Sequence, residues 1–198
     1  MNRRRALMGV QDNKPKLLFE VKNQTVTSGT RIITDVAAYK SGRSTTILLD
    51  FTNTSNPTTA DAVGSTWKAL GLYDTPNSRW TLNVGKSKKD GTYQKYVFSG
   101  TFSNSWSANM NASNPTAGRH RYVITHEADS PTSILRYLKG TGTPYTYTDT
   151  RAQFYASSGG LTFGVSVDNA NSLPNGTISL AQVWDGILSD DEINAFFA

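Results

Sequence analysis

The sequence predicts an all-β fold, a two-sheet antiparallel jelly-roll sandwich with a short C-terminal helix. Three observations carry that prediction. Roughly twelve short apolar or alternating runs follow one another, separated by turn residues. The composition is rich in Thr, Ser, Asn and Gly and supplies 8 Phe, 9 Tyr and 4 Trp. That is the usage of short strands and polar turns, not of long helices. Finally, residues 176–197 (GTISLAQVWDGILSDDEINAFF) hold a strand, a turn and a helix in one uninterrupted stretch.

That closing stretch is the most explicit part of the chain. Ile178, Leu180 and Gln182 alternate with Ser179, Ala181 and Val183, the period of a half-buried strand. Trp184-Asp185-Gly186 is a turn signal. Ser189-Asp190-Asp191-Glu192 is a capping box, in which Ser189 and Glu192 satisfy each other's backbone N–H. Leu188 and Ile193 flank the cap as a hydrophobic staple, and the acids suit the positive end of a helix. Ile193, Phe196 and Phe197 then form one apolar face. A helix this short needs something to pack on, and a sheet is the natural support.

At 198 residues the chain fits one sandwich domain, residues 16–198, preceded by an N-terminal basic arm, residues 1–15. The net charge of +5 is concentrated in that arm and the strand after it. Arg3, Arg4, Arg5, Lys14, Lys16 and Lys22 face only Asp12 and Glu20, whereas the rest holds 14 basic and 13 acidic side chains. One triple-Arg cluster does not make a nucleic-acid surface. Cysteine is absent, which excludes disulfides, thiol nucleophiles and Cys-based metal sites. No run of about 18 apolar residues exists to cross a membrane as a helix. The apolar piece after the arginines, residues 6–10, is shorter than the 7–15 residues or so of a secretion signal.

Taken in order, strands are expected at 17–22, more weakly at 30–39, at 45–52, 67–73, 79–85, 93–102, 119–127, 133–139, 152–156 and 161–167, before the closing strand. In TTILLDFT (45–52), Ile47, Leu49 and Phe51 share one face while Leu48 occupies the other, so this strand is expected at the centre of a sheet. Polar loops are expected at 53–64 and 168–175, turns at 74–77 and 88–91, and a hairpin across Asp90-Gly91. Residues 104–118 (NSWSANMNASNPTAG) form the longest expected irregular segment, and long loops are often functional. Residues 140–149 are expected as a linker.

Three blocks resemble a known family. Gly176-Thr177-Ile178 with Ile187-Leu188-Ser189-Asp190-Asp191-Glu192-Ile193 resembles the closing segment of laminin-G-like domains of the concanavalin A-like lectin/glucanase superfamily. The hairpin of 119–127 and 133–140 is similar to another part of it, with Lys139 where the pattern usually has Asn. Leu161 to Gly164 matches a third position. The resemblance spans about residues 17–197 and implies a concanavalin A-like sandwich. The opening Arg3-Arg4-Arg5-Ala6-Leu7-Met8 also resembles the starts of phage structural proteins.

The superfamily's glucanases carry several carboxylates on one strand, where a pair can act as nucleophile and acid. Here the only Glu residues are Glu20, Glu127 and Glu192. Glu192 belongs to the capping box, Glu20 stands alone on its strand, and Glu127 with Asp129 sits at a hairpin tip before Ser130-Pro131. His120 and His126 share a strand face but lie roughly 20 Å apart, too far for one metal. Asp168, Asn169 and Asn171 offer oxygens, yet a single charge makes calcium disfavoured. No cofactor motif is present.

Glycan binding needs an aromatic platform beside polar groups, and Trp106 with Asn104, Asn109 and Asn111 supplies that composition. Trp106 fits either an exposed platform or a core anchor, whereas Trp67, Trp80 and Trp184 lie in strand patterns that favour the core. The first expectation is therefore a non-catalytic structural or adhesion module. Its arm, through Arg3, Arg4, Arg5, Leu7 and Met8, would dock on other subunits of a larger assembly such as a bacteriophage head decoration, fibre or tail. The expected location is a virion or an extracellular surface. The alternative is a free carbohydrate-binding lectin, with cell-surface glycan as partner, and a glycoside hydrolase comes third.

Overall fold

The computed structural model describes residues 14–27, 32–33, 44–54, 68–75, 78–83, 85–89, 92–101, 106–109, 118–128, 130, 132–149, 161–163 and 176–198; between 68 and 109 and over 161–163 the description is of backbone pairing. Among these residues the chain forms β1 (Lys16–Val26), β2 (Ile32–Ile33), β3 (Thr45–Asn53), β4 (Lys68–Thr75), β5 (Ser78–Asn83), β6 (Gly85–Lys89), β7 (Thr92–Thr101), β8 (Trp106–Asn109), β9 (Gly118–His126), β10 (Ser133–Lys139), β11 (Tyr145–Asp149), β12 (Leu161–Phe163), β13 (Gly176–Asp185) and helix α1 (Asp190–Phe197). One sheet has the order β1-β13-β3-β9-β10-β11. The other runs β2-β12-β4-β5-β7-β6, with β8 paired to β7. Every described pairing is antiparallel. This is the antiparallel jelly-roll sandwich that the turn spacing and the closing stretch predict.

Strand β3 occupies the centre expected of it, between β13 and β9. Its Ile47, Leu49 and Phe51 point to the sandwich interior, where they join Tyr122, Ile124, Leu135, Tyr137, Ile178, Ala181 and Val183, all at most 4% exposed. Each such side chain contributes on the order of 1.5–3 kcal/mol by leaving water. The opposite face carries Leu48, Val123 and Leu138, which pack with Leu188, Ile193 and Phe197 of the closing segment; Trp184 and Phe196 lie against this cluster half-buried. The helix thus finds the sheet that its length requires.

The entry to α1 follows the sequence signal. Ser189 is extended (φ −62°, ψ 157°), and its hydroxyl accepts from the Glu192 N–H at 3.3 Å. The Glu192 carboxylate accepts from the Ser189 N–H at 2.8 Å. Leu188 and Ile193 share the buried cluster, as a staple should. The Gly-x-Ile start of β13 also has a packing reason. A Cβ on Gly176 would overlap the Thr52 carbonyl oxygen and come within 2.9 Å of the Phe51 ring.

Several expected boundaries move. β1 reaches Val26, four residues past the expected end, because it stays paired with β13 down to Gly176. Pairing with β1 and β3 likewise carries β13 through Trp184 and Asp185, so the turn falls at Gly186 (φ 112°) instead. The expected linker 140–149 contains β11, which pairs with β10 from Tyr145 to Asp149. The expected strand 79–85 is divided between β5 and β6, and Lys88 and Lys89 belong to β6 rather than to a turn. Lys89 lies opposite Thr92, the register that the Asp90-Gly91 hairpin signal predicts. Of the strand expected at 30–39 only Ile32–Ile33 is described, and of 161–167 only Leu161–Phe163. The loop at 168–175 and the strand at 152–156 lie outside the described residues.

Helix docking is expected to dominate stability on the outer face. Ile193→Ala should cost about 2–4 kcal/mol in urea unfolding. Ser189→Ala, which removes one cap acceptor, should cost only about 1 kcal/mol.

Candidate functional site

Charge on the outer face is organised around a pair of arginines that alternate along β9. The buried Asp50 of β3 accepts from Arg119 through both oxygens, from Nε at 3.0 Å (Oδ1) and 3.1 Å (Oδ2) and from Nη2 at 2.7 Å (Oδ2). This bidentate pairing raises the Arg119 pKa. Arg121, 2% exposed, does something different. Its Nη1 donates to the carbonyls of Phe196 and Ala198 at 3.2 and 2.9 Å, and its Nη2 to the Gly140 carbonyl at 2.9 Å. No basic residue lies in the last turn of α1, so a strand side chain supplies the cation that the helix C-terminus favours. Burial lowers the Arg121 pKa, with Arg119 adding and Asp50 opposing, yet a guanidinium remains protonated. Arg121 also stands 6.0 Å over the Phe197 ring. Arg121 thus holds the end of the helix to the sheet, while Arg119 neutralises the buried Asp50 beside it.

The interior face of the same strand is polar in a different way. His120 Nδ1 lies 3.0 Å from the Tyr137 hydroxyl, and the Tyr122 and Tyr137 rings stack at 4.8 Å. Burial is the largest cause raising both phenol pKa values, so both stay neutral. His126 sits at the other end of the strand, with Nδ1 3.2 Å from the Thr132 carbonyl. Burial lowers its pKa, the Thr132 carbonyl opposing. The two histidines share a face, as their spacing predicts, but serve separate neighbours. Among the described residues no group of three His, Cys, Asp or Glu side chains could hold a metal.

Among the described residues the carboxylates do not converge. Glu127 is exposed beside a turn in which the Ser130 N–H donates to its carbonyl at 3.3 Å. Its neighbour Asp129 lies outside the described residues. The Glu192 pKa is lowered by its bonds to Ser189, and that of Glu20 by Lys22 and then Gln182. These lowered values suit carboxylates that stay ionised, whereas a general acid must hold its proton near neutral pH.

Trp106 and Asn109 fall in strand β8, not in an irregular loop, opposite Gly100 and Tyr96 of β7. The β7 ladder captures them; apart from Trp106 the segment has no strand former to announce it. Asn104, Asn111 and the arm residues Arg3, Arg4, Arg5, Leu7 and Met8 lie outside the described residues, as do Trp67, Asp168, Asn169 and Asn171. Of the tryptophans expected in the core, Trp184 is half-buried rather than buried. The functional groups that sequence reasoning missed are Asp50, Arg119 and Arg121. An acid inside a strand apolar on both faces signals a buried ion pair. The alternating arginines of Arg119-His120-Arg121 signal its partner.

No family model and no curated protein matches the chain, so the laminin-G resemblance rests on its sequence motifs alone. Solved structures do match. The Ruminococcus gnavus IT-sialidase CBM40 bound to α2,6-sialyllactose aligns with a TM-score of 0.55 at 17% identity, over 91% of this chain and 98% of that one. Domain 4 of AbnA, a GH43 extracellular arabinanase from Geobacillus stearothermophilus in complex with arabinotriose, aligns with a TM-score of 0.58 at 12% identity, over 93% and 99%. The leech intramolecular trans-sialidase aligns with a TM-score of 0.60 at 15% identity, over 93% of this chain but 28% of that one. Such likeness establishes the fold, a lectin-like antiparallel sandwich also found in carbohydrate-binding modules and in domains of glycoside hydrolases.

Two outcomes test these roles. Arg121→Met, which strands three carbonyls and the end of α1, should destabilise by about 3 kcal/mol and speed amide exchange in α1. The lowered His126 pKa means that the unfolded chain takes up its proton first. The associated stability is complete above about pH 6.5 and is lost as pH falls through the folded value. Thermal unfolding of His126→Asn should show a flatter pH dependence in that acidic window.

Proposed function

We propose that this chain is a non-catalytic, lectin-like carbohydrate-binding module acting at a glycan-bearing surface outside the cell. The observation that carries the reading is whole-length alignment with compact modules. The sialidase CBM40 and the arabinanase domain 4 are covered almost end to end, whereas the whole trans-sialidase is covered over 28%. The match over the full length of such modules, against 28% of the whole trans-sialidase, supports the reading of a binding module. The dispersed, individually paired carboxylates among the described residues support a binding role over a hydrolytic one.

Trp106 on β8, flanked in sequence by Asn104 and Asn111, is the proposed glycan contact, one aromatic face for the C–H surface of a sugar beside amides for its hydroxyls; Asn109, three positions on in the same strand, alternates to the other face. This puts the lectin ahead of the first expectation, a virion component held by residues 1–15. That expectation depends on residues 1–13, which lie outside the described ones, and the neighbours reported above are not virion proteins.

A glycan array spanning neutral and sialylated oligosaccharides tests the proposal. Binding is expected, and for glycans held at β8 Trp106→Ala should lower it at least tenfold with the unfolding temperature unchanged. A silent array at high protein concentration overturns the reading.

A further inference from the structure

Helix α1 rests on β3, β9 and β10 through Leu48, Val123 and Leu138; among the described residues it does not extend over the same face of β13 and β1 beyond Trp184. On that shelf the register sets Gln182 opposite Glu20, Trp184 opposite Leu17 and Leu180 opposite Lys22. Four side chains are tied in series. Lys22 Nζ lies 2.8 Å from Glu20 Oε1. Gln182 Nε2 donates to Glu20 Oε2 at 2.5 Å, and Gln182 Oε1 accepts from Trp184 Nε1 at 3.0 Å. The orientation of the amide is forced, because a carboxylate only accepts and an indole N–H only donates. Trp184 is braced by the apolar cluster under α1, while Leu17 beside it is 37% exposed.

We propose that this shelf is a second saccharide site, separate from β8, that takes a neutral sugar with adjacent hydroxyls. The proposal rests on the carbohydrate-binding reading above. As a stabilising device the chain of contacts is weak, since exposed ion pairs contribute little. As a recognition surface it is well arranged. Gln182 keeps one amide hydrogen and one lone pair, Glu20 keeps lone pairs, and Lys22 keeps two N–H donors. Donors and acceptors therefore alternate along the strand pair, the pattern that adjacent hydroxyls, each both donor and acceptor, can meet. The indole and Leu17 offer apolar surface next to them, for the C–H face of a ring. Lys22 and Glu20 cancel in charge, so an anionic sugar would have to part them, whereas a neutral one binds with the pair intact. The four groups are already held in place, which lowers the ordering cost of binding.

The test titrates neutral trisaccharides of arabinose, xylose, mannose, galactose and glucose, and α2,6-sialyllactose, into the full chain. The indole N–H resonances of the 4 tryptophans are followed by NMR, that of Trp184 being assigned through Trp184→Phe. At least one neutral trisaccharide should shift the Trp184 resonance. Glu20→Gln and Gln182→Ala, both at surface positions, should each weaken that binding about tenfold, and Trp106→Ala should leave it unchanged. Saccharide binding that ignores both shelf variants overturns the shelf and leaves the carbohydrate-binding reading standing. Preference of the shelf for sialyllactose overturns the neutral-ligand assignment. No saccharide binding at all overturns both proposals.

Discussion

Strand β3 is buried on both faces, and the rest of the fold answers that constraint. Ile47, Leu49 and Phe51 require one cover, and Thr46, Leu48 and Asp50 require another. The second sheet of the sandwich meets the first demand. The second is met residue by residue by the end of the chain. The Thr46 hydroxyl donates to the Gly186 carbonyl at 2.9 Å and accepts from the Leu188 N–H at 3.1 Å, which fixes the approach to α1. Leu48 packs under the middle of the helix. Asp50 is neutralised by Arg119, and Arg121 beside it holds the far end of α1. Strand β3 thereby sets where the helix begins and where it lies, and its neighbour β9, through Arg121, sets where it stops.

The parts legible in the sequence are those whose signals are local. The capping box needs only Ser189 and Glu192, three residues apart, and the central position of β3 needs only Leu48 among alternating apolar neighbours. The Asp90-Gly91 hairpin is read the same way. What escaped depends on pairing. Residues 145–149 (YTYTD) follow a Gly- and Pro-containing run, and they become β11 because β10 offers a free edge. Trp106–Asn109 becomes β8 through β7 in the same manner. Propensity is a weak guide in such segments, since partner strands decide.

The candidate sites divide along the same line. Composition alone singled out Trp106 and its asparagines, because an aromatic among amides is visible in one window. The shelf could not be found that way. Glu20 and Gln182 are 162 residues apart in sequence and adjacent only through the β1–β13 register. Read singly, Glu20 is an isolated acid and Trp184 a core residue. Read in register, they are members of one hydrogen-bonded series, joined through Gln182.

The position of α1 links stability to function. A helix lying across the whole outer face would bury Gln182 and Trp184 and leave no polar surface there. At eight residues, Asp190 to Phe197, it spans only about 12 Å. It covers β3, where the unmet apolar demand is greatest, and stops where Arg121 can satisfy its last carbonyls. Among the described residues α1 does not extend over the outer face of β13 and β1, where Gln182 and Trp184 are half-buried and Glu20 and Lys22 exposed, because β3 has already claimed the helix. The Trp184 ring is shared between the two regions: it leans on the helix cluster, and its N–H belongs to the polar series. A surface so built is rigid on its apolar side and held in place on its polar side with donors and acceptors to spare, the combination that lets weak, hydroxyl-directed contacts add up without first ordering the protein.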